Sequence, residues 1–375
     1  MKKLLATYLA LAIAVWLVAP ALTLANGTIG TELKKDSSGG NPPNVLVSWI
    51  ARGDDVNDNA NPVPYTNDTD YYRDDSTAQY TQIRPSGIKD LHTNIAMCTI
   101  VESEYGIPYI DGVYADVFYP EVQLGEHHVP LENQSGAGCG LFMQQDRLLK
   151  LTEQEGIDLF CNNVRFSNDN LPKWQPELES DGYNILCGST GKLRKGEAAV
   201  YCGTKTISYE DPAGEYNVRI MAQDMNSGTG IQDHGFYYTE MTSYKVDFDK
   251  IDYGPVKLNI NKIVSGDLDF GSEKATIRNE GNVRLKISVN QDDMQLGQTS
   301  GSWNVSYGAR IGHEVGFTTY EPGDTRWIND ELDLSEVNEM DFSVLVNKFP
   351  YPVPNKFIGT MILGAKKANF TSCSS

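Results

Sequence analysis

The chain has 375 residues, of which 40% are hydrophobic, with 31 Lys and Arg against 50 Asp and Glu, a net charge of −19 and six cysteines. That length suits two domains, since single cores stop growing by about 250–300 residues, and the apolar share excludes a disordered acidic tail. The charge argues against nucleic acid as a partner, because phosphates need neutralising Lys and Arg, and against docking on anionic lipid.

Met1-Lys2-Lys3 is followed by an apolar run over residues 4–18 and then by Ala19-Pro20-Ala21-Leu22-Thr23-Leu24-Ala25. A cationic start, an apolar stretch and small residues before a cut describe a signal peptide over residues 1–25, with Thr23 and Ala25 suited to a peptidase's small pockets. The competing reading is an uncleaved anchor. No second stretch of that length occurs, so the mature chain is expected to have no membrane span and to lie outside the cell. Removal of the leader leaves 29 basic against 50 acidic residues, a charge of −21.

All six cysteines (Cys98, Cys139, Cys161, Cys187, Cys202, Cys373) lie beyond the leader, and an even count in an exported chain permits three disulfides. None forms a CxxC pair, which disfavours a zinc ribbon or finger. Cys187 and Cys202 flank the turn-like Gly188-Ser189-Thr190-Gly191-Lys192, and Cys139 and Cys161 bracket a helical stretch, so these are the favoured pairs. Cys98 then meets Cys373, or Cys373 stays free. Sequons at Asn26, Asn67, Asn133, Asn304 and Asn369 are candidate glycan acceptors.

Along the chain, residues 26–43 are a Gly-, Ser- and Pro-rich lead-in. Asn44-Val45-Leu46-Val47-Ser48-Trp49-Ile50 is the first strand, and residues 53–76, crowded with Asp, Asn, Pro and Tyr, form no core element. Residues 91–101 and Gly112-Val113-Tyr114-Ala115-Asp116-Val117-Phe118-Tyr119-Pro120 read as strands. Over residues 140–161, Leu141, Met143, Leu148, Leu149, Leu151, Ile157 and Phe160 are spaced for two short amphipathic helices. Strands resume at residues 197–202 and 206–209. Asp211-Pro212-Ala213-Gly214 then turns into a strand in which Tyr216, Val218 and Ile220 face one way, and residues 236–239 close the set. The rhythm restarts near Lys245, with stretches at 244–248, 254–258, 266–270, 275–279, 283–289, 341–346 and 356–363. Such spacing predicts an antiparallel sandwich of about seven strands, with the domain boundary at residues 242–248.

Three stretches resemble archaeal secreted surface proteins built from immunoglobulin-like modules: residues 112–120; Asp211-Pro212-Ala213-Gly214-Glu215-Tyr216-Asn217-Val218; and Gly266-Asp267-Leu268-Asp269-Phe270 with Ile277-Arg278-Asn279-Glu280-Gly281-Asn282-Val283. The asparagine-glycine turn in the last is similar to one in the sandwich of TasA and camelysin fibre proteins. The resemblance covers about half of the mature chain and implies an all-β fold: two immunoglobulin-like β-sandwich domains in tandem, over residues 44–243 and 244–369, with a tail at 370–375. The first carries a short helical, cysteine-containing insert at about 136–196 that departs from a plain immunoglobulin-like pattern.

Candidate chemistry is sparse. Asp54, Asp55, Asn57 and Asp58 alternate in an acidic loop, the donor type calcium prefers, with Asp68, Asp70, Asp74 and Asp75 nearby. The competing reading is a solvated loop. Residues 224–230 read as a turn. Five histidines (His92, His127, His128, His234, His313) are too scattered to nominate a zinc site. Gly-x-Ser-x-Gly, His-Glu-x-x-His and a phosphate-binding glycine loop are absent, so no catalytic residue and no cofactor besides calcium is nominated. Tyr65, Tyr71, Tyr72 and Tyr80 surround the acidic loop, while Trp303, Trp327 and Phe357 read as core or rim of the second sandwich.

The leading expectation is a non-enzymatic, glycosylated structural or adhesive cell-surface protein. It would self-associate, or bind other envelope proteins and glycans, through exposed strand edges. The lead-in is a candidate donor strand, although its glycines and prolines make it a poor one. A carbohydrate-binding or receptor module using residues 53–76 is the rival class, and a secreted hydrolase ranks third. On the calcium reading, the ion added to the metal-stripped chain binds and raises the melting temperature; on the solvated-loop reading it does neither. A titration calorimeter showing no bound equivalent, together with an unchanged melt, removes the calcium assignment.

Overall fold

The computed structural model describes residues 41–53, 81–85, 92–120, 142–162, 165–166, 177–178, 180–272, 274–313, 316–353 and 356–369. Its first half comprises β1 (Asn44–Gly53), β2 (Thr81–Ile83), β3 (His92–Glu102), β4 (Ile110–Phe118), β5 (Phe142–Lys150), α1 (Glu153–Cys161), β6 (Arg165–Phe166), β7 (Glu177–Leu178), α2 (Ser180–Cys187), β8 (Ala198–Ser208), β9 (Gly214–Asp224) and β10 (Thr229–Tyr238). The second half comprises β11 (Tyr244–Val246), β12 (Lys262–Val264), β13 (Thr276–Asn279), β14 (Leu285–Gln291), β15 (Gln298–Thr299), β16 (Ser302–Trp303), β17 (Val305–Ile311), β18 (Thr318–Tyr320), β19 (Arg326–Leu332), β20 (Val337–Val346) and β21 (Met361–Lys367). The fold is all-β, two β-sandwich domains in tandem with a helical, disulfide-bonded layer on the first.

In the first half, eight strands run in the order β1-β3-β8-β5-β4-β9-β10-β2. Strand β5 joins two layers: residues 142–148 pair with β4, whereas Leu149 and Lys150 pair with Cys202 and Tyr201 of β8. Between the layers lie Ile95, Met97, Tyr201 and Ile207 on one side and Val113, Val117, Val218 and Ile220 on the other. The opposite face of β3 and β8 is covered by the helices, through Ile157, Phe160 and Leu186 against Ile100, Val200 and Trp49. Strand β3 is thus buried on both faces, which is why residues 95–98 read as an unbroken apolar run instead of an alternation.

The helical expectation needs correction at residues 142–150, which form β5. The leucine spacing there fits a helix, but register with β4 decides the outcome, a non-local term that overrides local propensity. The helix starts after Thr152, whose hydroxyl accepts from the Glu155 amide (3.3 Å) while the Glu155 carboxylate accepts from the Thr152 amide (2.9 Å), a capping box. The second helix lies at Ser180–Cys187. Residues 254–258 and 266–270 are turns and loop, not strands. At Gly266 a Cβ would lie 2.1 Å from the Ala275 carbonyl oxygen, so the chain passes too close to its neighbours for a side chain.

The favoured disulfide pairings are overturned. Cys98 bonds Cys202, directly opposite it in the β3–β8 register, and Cys161 bonds Cys187, joining α1 to α2. Cys187 faces the neighbouring helix, so it reaches Cys161 and not Cys202; Cys98 is taken by Cys202 and so has no bond to give Cys373. Cys139 and Cys373 lie outside the described residues, and no described cysteine is free.

The second sandwich faces β11-β13-β20-β17-β18, with β12 on the far end of β20, against β19-β14-β21. Ile277, Ile287, Val289, Tyr307, Ile328 and Phe342 fill its core. In the first half, the Asp211–Tyr216 stretch forms a tyrosine corner: the Tyr216 hydroxyl donates to the Pro212 carbonyl (2.9 Å), and its ring stacks on Phe236 at 4.7 Å.

The junction is held by the turn at residues 279–282. The fully buried Asn282 side chain accepts from the Met241 amide (2.6 Å) and donates to the Thr239 carbonyl (2.8 Å), while its carbonyl accepts from Ala213 (2.9 Å). Asn279 fixes the turn by donating to the Val283 and Asp333 carbonyls, both at 2.9 Å. A Cβ on Gly281 would lie 2.3 Å from the Met241 carbonyl oxygen. Asn282→Ala strands a buried donor and acceptor and is expected to cost about 1–3 kcal/mol and to speed proteolytic cleavage at 239–243; unchanged melting and cleavage would contradict this.

Loop closure gives a second expectation. The Cys98–Cys202 bond spans 104 residues and Cys161–Cys187 spans 26, corresponding to about 5 and about 3.5 kcal/mol in the chain-entropy account. Paired Cys→Ala replacement at 98 and 202 should therefore lower stability in denaturant titration more than replacement at 161 and 187.

Candidate functional site

The two sheets of the second sandwich meet where β19 lies against β17 and β18. On the opposite side β21 pairs with β14 alone among the described strands. There the sheets stand apart around an opening of about 1120 Å³. Val344 and Val346 of β20 form one wall, Met361 and Leu363 of β21 the other, with residues 248–256 and Phe349 and Phe357 at the mouth.

The sequence of β21 makes this seam apolar. Alternation turns Met361, Leu363 and Ala365 inward and leaves Ile362 63% exposed. The inward residues are only half-buried, and no strand among the described residues covers them from outside. Phe349 stacks on Phe357 at 5.7 Å across the mouth, and Phe248 meets Phe342 edge-on at 5.8 Å. The Tyr244 hydroxyl bridges the seam by donating to the Leu363 carbonyl (2.9 Å). Deeper in, Tyr253 and Tyr320 both donate to Oε1 of the buried Gln291 side chain (3.4 and 3.3 Å), and burial raises both phenols above their ordinary pKa. Among the described residues no histidine or cysteine lines the opening. What it offers is apolar surface beside a strand that no second described strand flanks, an edge of the kind that can take up an extended chain.

Asp54, Asp55, Asn57 and Asp58 lie outside the described residues, as do Tyr65, Tyr71, Tyr72, Tyr80, His127 and His128 and the sequons Asn26, Asn67 and Asn133. The other two sequons differ. Asn369 is exposed. Asn304 is 6% exposed and its amide nitrogen donates to the Leu296 carbonyl (2.8 Å), so the folded chain leaves no space for a glycan there. Residues 224–228 are a turn, Asp224 accepting from the Asn226 and Gly228 amides (2.9 and 2.7 Å). Phe357 sits at the seam's rim. Trp327 is 37% exposed beneath the Lys366 ammonium.

His234 is half-buried in β10, where desolvation lowers its pKa. His313 gains partners that the sequence did not suggest: its Nδ1 lies 2.7 Å from Glu339 and 3.8 Å from Asp341. Alternation along β20 puts both carboxylates on one face, and the register opposes Asp341 to Arg310. The three side chains are close enough for a metal ion. Arg310, however, already grips the fully buried Asp341 through Nε and Nη2 (2.8 and 2.6 Å), and the Gly266 amide donates to it (2.9 Å). The cluster is an ion-pair knot on the sheet face.

No protein-family model matches the chain, and no curated protein matches it. Among solved structures it is similar to the CsuC–CsuE chaperone–tip adhesion subunit complex of Acinetobacter baumannii pili (9% identity, 76% of this chain and 96% of that one, TM-score 0.23). It is also similar to the C-terminal domain of the antigen I/II polypeptide BspA of Streptococcus agalactiae (13%, 77% and 92%, 0.18) and to a carbohydrate-binding module of the β-sandwich superfamily (9%, 89% and 99%, 0.18). Likenesses at these scores carry no argument about what this chain does.

Arg310→Met leaves Asp341 buried and unpaired, which is expected to cost about 3–5 kcal/mol in urea titration. His313→Ala, on a side chain 67% exposed, is expected to cost less than about 1 kcal/mol. Equal losses from the two would contradict the assignment of Arg310 as the essential counter-charge.

Proposed function

We propose that this is a non-enzymatic extracellular structural protein that assembles by lending an extended segment of one copy to the open seam of the next. The observation that carries the reading is the seam itself, an apolar opening beside an edge strand whose inward residues Met361, Leu363 and Ala365 are left half-covered. A guest strand on β21 would bond its edge and lay alternate side chains between the sheets. The donor in this reading is the lead-in, residues 26–43, which follows the leader and precedes β1. There Ile29, Thr31 and Leu33 fall on one side of an extended chain, and the Gly- and Pro-rich remainder serves as a tether. Export, glycosylation at the exposed Asn369 and kinship with archaeal surface and TasA-camelysin proteins belong to the same reading. Calcium at residues 54–58 and polysaccharide recognition by residues 53–76 are separable from it.

Sedimentation velocity of the mature chain, residues 26–375, is the test. Concentration-dependent growth is expected, abolished by Leu363→Asp in the seam and equally by Ile29→Asp with Leu33→Asp in the lead-in, which precedes β1. Assembly that survives both variants, or a chain monomeric at high concentration with and without calcium, would overturn the proposal. Glycan binding lost in Asp54→Ala or Tyr72→Ala would favour the carbohydrate-binding alternative.

A further inference from the structure

The inner face of β8 reads Ala199, Tyr201, Gly203, Lys205, Ile207, so a lysine stands at a core position and is 8% exposed. Its Nζ donates to Oε1 of the Gln144 side chain. The Gln144 amide nitrogen donates in turn to Asp146 Oδ1 (2.7 Å), and Asp146 Oδ2 is buried without a hydrogen-bond partner. These residues meet because β5 changes layers. Continuing the β5–β8 pairing of Leu149 with Cys202 would set Asp146 opposite Lys205, but the strands part there as β5 turns to pair with β4. Lys205, Gln144 and Asp146 meet between the diverging strands.

We infer that Lys205 and Gln144 form an intramolecular isopeptide bond, with Asp146 moving the proton. The Lys205 nitrogen lone pair attacks Gln144 Cδ and a C–N bond forms. Asp146 takes a proton from Nζ and returns it to Nε2, the Cδ–Nε2 bond breaks, and ammonia leaves. Asp146 ends as it began, and no oxidant, cofactor or second reactant enters. Gln144 sits at the exposed end of β5, so ammonia has a path to solvent. Burial supports the chemistry from both sides. Desolvation lowers the Lys205 pKa, favouring the neutral nucleophile against the pull of Asp146 and Asp211, and it raises that of Asp146, favouring a carboxyl able to carry the proton. The bond would staple the two layers of the first sandwich at the point where backbone pairing ceases.

Peptide mapping of the mature chain, reduced, denatured and digested, reads this directly. The expected result is one branched peptide containing residues 144 and 205, lighter by about 17 Da, the mass of ammonia, than its two linear parts. It should be absent in Asp146→Ala and in Gln144→Met. Linear peptides with a Lys205 amine free to react with an acylating reagent would overturn the inference. So would a deficit of about 18 Da, which marks loss of water and a bond to an aspartate instead.

Discussion

A β-sandwich is stable when both inner faces are covered along their whole width, and in the second domain that condition fails on one side. Sheet β19-β14-β21 closes against its partner near β18 but parts from it at β21. The aromatic and aliphatic residues on either side are left in partial contact with water. Each Å² of apolar surface so exposed forgoes about 25 cal/mol, and each unpaired edge group forgoes a hydrogen bond worth about 1 kcal/mol. In the proposed assembly a strand from another copy would supply both terms together.

The first domain is built in the opposite way. Its central layer is buried on both faces, its helical cover is bonded by Cys161–Cys187, and its inner strands are bonded by Cys98–Cys202. The junction then fixes the open domain to the closed one through Asn282, Gly281 and the linker carbonyls of Thr239 and Met241. No helix among the described residues is long and apolar enough to cross a membrane.

How much of this the amino-acid sequence discloses depends on the range of the interaction. The tyrosine corner at 211–216, the strand at 112–120 and the turn at 279–282 were all legible, because each is set by residues within a few positions of one another. Strand β5 was misread as helix because Leu148, Leu149 and Leu151 fit either period, and only register with β4 separates the two. The Thr152–Glu155 capping box was the local signal that marks the true helix start. The disulfide partners followed strand register over 104 residues and a helix contact, neither of which spacing reveals. The seam has no sequence signature, because it is defined by which edges do not pair. Lys205 was legible and overlooked: it breaks the apolar side of an alternating strand.

The account stands or falls on what occupies the seam. Electron cryomicroscopy of assembled mature protein measures that directly. An extended main chain from a neighbouring copy, hydrogen-bonded along β21 with alternate side chains between the sheets, is the result predicted. An assembly whose copies touch elsewhere while the seam stays empty, or is filled by a segment of the same copy, would contradict it.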